Sequence, residues 1–244
     1  MRIMHCMSPL VGKSNNEVFD RVLVASILDK MGRDDRSTTK SLATLTFEQL
    51  DAQLNPAETR VIKQLLSLKP RALGFLGPFV SNEGPPPSLV PLEGQSFIRD
   101  DHKVVITNQY LPRYVWDAFQ KMQKAIKEDL GSTLMVGSGY RSPANQAITF
   151  LTYLEMNDFD IKYVANGVAL PGYSQHGDPI NTAMDVVNQD GIPTDGEPQL
   201  FAKTKEYKWL VENAGRFSFN LSYPEGNEFG VKYEPWHWRF VELT

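Results

Sequence analysis

The chain has 244 residues, 41% apolar and 22% charged, with a formal net charge of −4. This is globular composition, long enough for a sizeable core and for one large domain, or one plus a smaller module. The acidic balance, with no long runs of Lys or Arg, gives no sign of a nucleic-acid partner, and none is expected. The single cysteine, Cys6, excludes a disulfide-stapled scaffold and reads as a buried or terminal thiol. The apolar stretch 22–28 is too short to span a bilayer. Residues 1–14 carry Arg2 but no hydrophobic region or small-residue cleavage site, so neither a signal peptide nor a membrane helix is expected.

The first third reads as helical. Residues 16–31 carry Val18, Val22, Leu23, Ile27 and Leu28 on one face. Thr46 with Gln49 forms a capping-box pattern that opens a short helix through Leu54. Asn55-Pro56-Ala57-Glu58 is a stronger start, with Asn at the cap, Pro at the first helical position and Glu at the third. Val61, Ile62, Leu65 and Leu66 then form a core stripe. Gly77-Pro78 and Gly84-Pro85-Pro86-Pro87 break the pattern, so 76–91 reads as a linker or surface loop. The chain accordingly divides near residue 85, into a helical N-terminal module (1–85) and a second domain (86–244).

Beyond the break, helices and strands alternate without regular repetition. A short strand is expected at 104–107. Residues 112–130 form an amphipathic helix with Val115, Phe119, Met122 and Ile126 inward and Gly131 as the stop. Strands follow at 133–136, 183–187 and 236–241. Ser142-Pro143 opens a helix through Leu154, and 199–214 forms another. The expected class is α+β.

The reactive residues fall in three short segments. Of four histidines, His5, His102, His176 and His237, the last two lie in polar-aromatic settings near carboxylates. His5 and His102 read as ordinary core or surface residues. Asp185 sits inside an apolar strand candidate, where an unpaired carboxylate is costly and a metal is one possible partner. Two imidazoles and one carboxylate suit a catalytic zinc, which keeps one coordination position open. Manganese or iron could accept the same set. Glu234, three residues before His237, could face the open side as a general base. Arg141 is a candidate clamp for a carboxylate or a developing oxyanion. The competing readings are a lysine partner for Asp185, a solvated Glu234, a structural ion pair for Arg141, and packing roles for Trp236 and Trp238.

These segments resemble the VanY-type D-alanyl-D-alanine carboxypeptidases, within the LAS group of zinc peptidases. The first motif is complete as Ser138-Gly139-Tyr140-Arg141-Ser142 with Gln146, and the third as Glu234-Pro235-Trp236-His237-Trp238-Arg239. The middle one runs from Ser174 and His176 to Asp185. The resemblance covers about residues 90–244. It implies a small antiparallel-sheet zinc peptidase core flanked by helices. His176, Asp185 and His237 would be the Zn2+ ligands and Glu234 the base, while Arg141 would contact substrate and stabilise the transition state. Ser174, Gln146 and Tyr140 would help hold the substrate. The implied substrate is a peptidoglycan stem peptide losing a terminal D-alanine, which implies an extracytoplasmic location. The middle motif departs from the pattern. His176 and Asp185 are nine residues apart where seven is usual, as if two residues were inserted in 177–182, with Asn181 or Pro179 where a glycine belongs. That loop is rich in turn formers, and substrate specificity is expected to differ there. The alternatives are a non-catalytic relative that binds cell-wall peptides, and a zinc endopeptidase acting on another peptide bond.

Overall fold

The computed structural model describes residues 19–32, 42–192 and 198–242. Cys6 and His5 lie outside the described residues. Among the described residues the N-terminal third is helical, as expected: α1 (Arg21–Lys30), α2 (Phe47–Asp51) and α3 (Pro56–Ser67). Asp20 caps α1 by accepting from the Val22 and Leu23 amides. Thr46/Gln49 and Asn55/Glu58 both close as capping boxes. Of the expected face of α1, Ile27 and Leu28 are buried and Leu23 is partly so, while Val22 points to solvent and Val24 is buried in its stead; Val18 lies outside the described residues.

These helices pack against a helix from beyond the break, α5 (Pro143–Met156), which the short α6 (Ile161–Ala165) follows. One core joins Val24, Ile27 and Leu28, then Leu50, Val61 and Leu65, to Ala147, Phe150, Leu151 and Leu154. Glu58 does more than cap α3. Fully buried, it takes hydrogen bonds from Ser26 Oγ (2.7 Å) and Lys30 Nζ (2.5 Å) and ties α1 to α3. Burial by itself would raise its pKa. The bonds from Lys30, the Asn55 amide and Ser26 outweigh that and bring it down to about 2.

The 76–91 stretch is stitched down rather than free. The Leu76 amide donates to Phe229 O, and the Val80 and Ser81 amides donate to Gly172 O. It then enters β1 (Leu89–Leu92), which pairs antiparallel with β4 (Gln109–Pro112). Between them β2 (Ser96–Arg99) and β3 (His102–Val105) form a hairpin. Sequence reading expects a single strand here. Its turn residues, Asp100 and Asp101, both have positive φ, the geometry of a tight two-residue hairpin turn. Without a glycine, the usual signal for that turn is missing.

α4 (Arg113–Leu130) buries the expected stripe of Val115, Phe119, Met122 and Ile126 and ends at Gly131, whose φ is 66°. Burying each of these larger side chains contributes about 1.5–3 kcal/mol. The central sheet has the order β5-β6-β8-β7, all antiparallel: β5 (Leu134–Ser138), β6 (Ala183–Asn188), β7 (Phe219–Leu221) and β8 (His237–Phe240). One face supplies Leu134, Val136, Met184, Val186, Trp238 and Phe240 to a core shared with α4 and with α8 (Lys205–Asn213). Trp238 is thus a packing residue, with Trp236 packed against the same core. The helix expected over 199–214 divides into α7 (Pro198–Ala202) and α8, because Thr204 accepts from the Tyr207 amide and caps a new start.

The free edge of β5 is closed by side-chain amides. Gln95 pairs with both the N–H and the C=O of Val136, and Gln123 does the same for Leu134. Each glutamine stands where a neighbouring strand would, which satisfies an otherwise open edge.

Candidate metal centre

Strand alternation delivers half of the site. Met184 and Val186 face the core, so Asp185 between them faces the other side, and His237, next to Trp238, does the same. Asp185 and His237 are direct cross-strand partners in the β6–β8 register. Nδ1 of His237 lies 3.0 Å from Asp185 Oδ1. The apolar neighbours of Asp185 are therefore not its environment. They belong to the opposite face.

A turn delivers the other half. The 3-10 turn Gln175–Gly177 presents His176, whose Nε2 lies 3.3 Å from Asp185 Oδ2. The His176 Nδ1 bonds to Gly139 O at 2.9 Å. Gly139 is held in turn by β4: its amide donates to Gln109 Oε1 (3.1 Å), and the next amide, of Tyr140, donates to Tyr110 O (2.6 Å). A Cβ on residue 139 would sit 2.3 Å from that Tyr110 oxygen, so the close approach requires glycine.

One ligand atom from each of His176, Asp185 and His237 can be chosen so that all lie within 4.8 Å of one another. Tetrahedral zinc, with bonds of about 2.0–2.1 Å to N and O, sets neighbouring ligand atoms roughly 3.3 Å apart. The 3.3 and 3.0 Å contacts fit that spacing. The tautomers fit as well. The Nδ1 of His176 and the Nε2 of His237 each meet an oxygen acceptor, Gly139 O and Gln175 Oε1 (3.1 Å). Protonation at those positions leaves one bare nitrogen per ring aimed at the cluster.

Electrostatics agree with a cation-binding site. Burial opposes the charge on Asp185, but positive charge and hydrogen bonds from the two histidines, which require protons on the nitrogens facing it, outweigh burial and hold the carboxyl far below its ordinary range; a bound cation would take the place of those protons. Burial likewise favours neutral His237, against the pull of Asp185. Glu234 Oε2 lies 3.7 Å from His237 Nδ1, beside the cluster but outside the three-residue set. Arg141 is half-buried; desolvation lowers its pKa, while the negative charges of Asp185 and Glu234 act on it in the opposite sense.

The first motif acquires a physical account. Ser138 Oγ accepts from Arg141 Nη2 (2.8 Å) and Gln146 Oε1 from Arg141 Nη1 (2.9 Å), which fixes the guanidinium plane. Gln146 Nε2 donates to Ala169 O (2.6 Å), so this 1%-exposed amide orients Arg141. Ser142 caps α5 through the Asn145 amide. Tyr140 is buried, and its hydroxyl has no hydrogen-bond partner among the described residues; burial holds its pKa well above the usual phenol value. Ser174 is buried at the start of the His176 turn. His102 is exposed on β3, away from the cluster.

The longer His176–Asp185 loop is held at several points. Asp178 Oδ1 accepts from the Ile180 and Asn181 amides, and Oδ2 pairs with Arg239 (2.5 Å). Arg239 Nε reaches Asn181 O, and Tyr114 Oη donates to Ile180 O. The extra residues are thus anchored to β8 and α4, and the ligands at either end still converge.

Sequence reasoning missed two residues here. Gln175 touches His237, and the Tyr223 ring lies tilted against His237 with centroids 4.6 Å apart. Adjacency to His176 is the only sequence signal for Gln175. Tyr223 carries none, because its contact depends on where the 222–236 loop returns.

The family model of VanY, described as D-alanyl-D-alanine carboxypeptidase, matches residues 108–243, more than half of the chain. A putative carboxypeptidase, YodJ, of Bacillus subtilis is 32% identical over 139 residues, covering 56% of this chain and 48% of its own length. A D-alanyl-D-alanine carboxypeptidase of Enterococcus faecium is 28% identical over 169 residues, covering 67% of this chain and 48% of its own. The chain therefore spans about half the length of these curated relatives. Among solved structures, the LdcB LD-carboxypeptidase aligns with a TM-score of 0.54 and 26% identity, over 70% of this chain and 78% of that one. This likeness agrees with the α+β architecture of a small antiparallel sheet flanked by helices. With its three motifs gathered at one cluster, the chain belongs to the VanY family of D-alanyl-D-alanine carboxypeptidases.

Proposed function

We propose that this protein is a zinc-dependent carboxypeptidase that removes a terminal D-alanine from peptidoglycan stem peptides. The observation that carries the reading is the convergence of His176, Asp185 and His237, with Glu234 beside them but outside the ligand set. When bound, zinc would polarise the scissile carbonyl and lower the pKa of its water to about 7. Glu234 would take the proton from the attacking water and pass it to the departing amine. Arg141, held by Ser138 and Gln146, would present a fixed fork to the substrate carboxylate or to the developing oxyanion. Ser174 and Tyr140 remain proposed substrate contacts. Peptidoglycan lies outside the cytoplasmic membrane, so on this reading the protein works there. No helix among the described residues is long and apolar enough to cross a membrane. The division at residue 85 would separate two parts of one working unit, since the helices before it share a core with α5, the helix that follows Arg141.

The test is metal analysis together with hydrolysis of muropeptides ending in D-Ala-D-Ala or in a single D-Ala, by wild type and by Glu234→Ala. Zinc at one per chain and free D-alanine from wild type alone are expected. Zinc-free protein inert on every stem peptide would reject the reading. Tight binding of peptide without turnover in added zinc would instead identify a non-catalytic binder.

A further inference from the structure

The two histidines of the cluster are oriented by different means. His176 is held by a backbone oxygen, Gly139 O. His237 is held by a side chain, the Oε1 of Gln175, 3.1 Å from Nε2, with both residues buried. A neutral imidazole carries one proton, so its two nitrogens compete for it. Asp185 Oδ1, 3.0 Å from Nδ1, would draw the proton to the cluster side, where it would block a metal. Gln175 Oε1 offers the alternative acceptor on the far side. Gln175 also belongs to the 3-10 turn that presents His176. One turn thus carries one ligand and grips the ring of another, 62 residues further along the chain. Being an amide, Gln175 does this without adding a third negative charge beside Asp185 and Glu234.

We infer that Gln175 is a positioning residue: it fixes His237 as the Nε2–H tautomer, so that Nδ1 is presented unprotonated beside His176 Nε2 and Asp185. The inference rests on the metal-centre reading above. Partners of this kind typically change metal affinity by 10–100-fold.

The experiment compares wild type with Gln175→Met, which keeps the length and removes the acceptor, and Gln175→Glu, which keeps the acceptor. Two quantities are read: zinc affinity by competition with a chromophoric chelator, and the His237 tautomer from imidazole 15N shifts in the metal-free protein. Wild type and Gln175→Glu are expected to show Nε2–H. Gln175→Met is expected to move to Nδ1–H, bonded to Asp185, and to bind zinc about 10–100-fold more weakly. Wild-type affinity and an Nε2–H ring in Gln175→Met would overturn the inference. If wild type takes up no zinc, the metal-centre reading falls, and the tautomer alone then decides Gln175: its loss in Gln175→Met supports the role, its persistence refutes it. Should Gln175→Met fail to fold, Gln175→Asn, which withdraws the acceptor by one methylene, carries the same two readouts with the same expected directions.

Discussion

The strand-borne and turn-borne halves of the site are built on different principles. Asp185 and His237 are fixed by sheet register: adjacent strands, directly opposed positions, side chains on one face. Their placement follows from backbone pairing, with Met184, Val186 and Trp238 anchoring the other face in the core. His176 and Arg141 have no such ladder. They depend on a chain of specific contacts running from Gln109 and Tyr110 through Gly139 to His176, and from Ser138 and Gln146 to Arg141. A sheet spreads the work of positioning over many equivalent bonds. A turn concentrates it in a few, so single changes there should be felt sharply.

The largest expected effect comes from chemistry common to both halves. Glu234→Ala should lower kcat by about 10²–10⁴-fold while zinc content, measured by elemental analysis, stays at the wild-type level. Loss of zinc along with activity would mean that Glu234 belongs to the ligand set. Next comes the turn-borne half. Gly139→Ala places a methyl where the Tyr110 oxygen already is, and a displacement of about 1 Å at a catalytic group costs roughly 10²-fold in rate. Val186→Ala, on the core face of the strand-borne half, should lower the melting temperature but leave kcat of the folded protein within a few-fold. Equal losses of kcat from the two substitutions would break the comparison.

A third prediction separates scaffold from site. Glu58→Gln should cost about 1.5–3 kcal/mol in urea unfolding, the scale for hydrogen bonds to a buried charge, without changing kcat. The sign of its pH dependence follows from the lowered pKa. The folded value of about 2 lies below the ordinary carboxylate value of about 4.3. Stability from the paired carboxylate is therefore fully present above roughly pH 4.3 and lost as pH falls toward the folded value. The gap between wild type and variant should be flat from pH 6 to 8 and close below about pH 4. A gap that widens in acid would refute the assignment. The smallest effect is expected in the longer loop. Asp178→Asn weakens the pair to Arg239 but keeps a side-chain acceptor for the Ile180 and Asn181 amides. It should cost about 0.5–1.5 kcal/mol and shift KM more than kcat; an unchanged KM for every stem peptide would remove this loop from substrate selection.

Much of this organisation is legible in the sequence because it is local. The caps at Thr46, Asn55 and Ser142 act within a few residues, and so does the stripe on α4 that ends at Gly131. The three site segments are visible for the same reason, each being a short motif. The β2–β3 hairpin escaped because Asp100 and Asp101 occupy a conformation normally signalled by glycine. The break at Thr204 escaped because the apolar spacing runs on across it, while a hydroxyl placed to take the Tyr207 amide ends one helix and begins the next.

By itself the sequence determined the class of fold, the helices described in the first third, and the short segments that hold the proposed site residues His176, Asp185, His237, Glu234 and Arg141. These follow from periodicity, capping and short motifs, all of which act over a turn or two of chain. Only the tertiary structure decided how they meet. It set Asp185 opposite His237, joined the N-terminal helices to α5 in one core, turned Gln146 onto Arg141, and brought Gln175 against a histidine 62 residues away. Strand register and side-chain contacts between distant segments are fixed by packing and by the need to satisfy buried polar groups, and neither leaves a local periodicity to read.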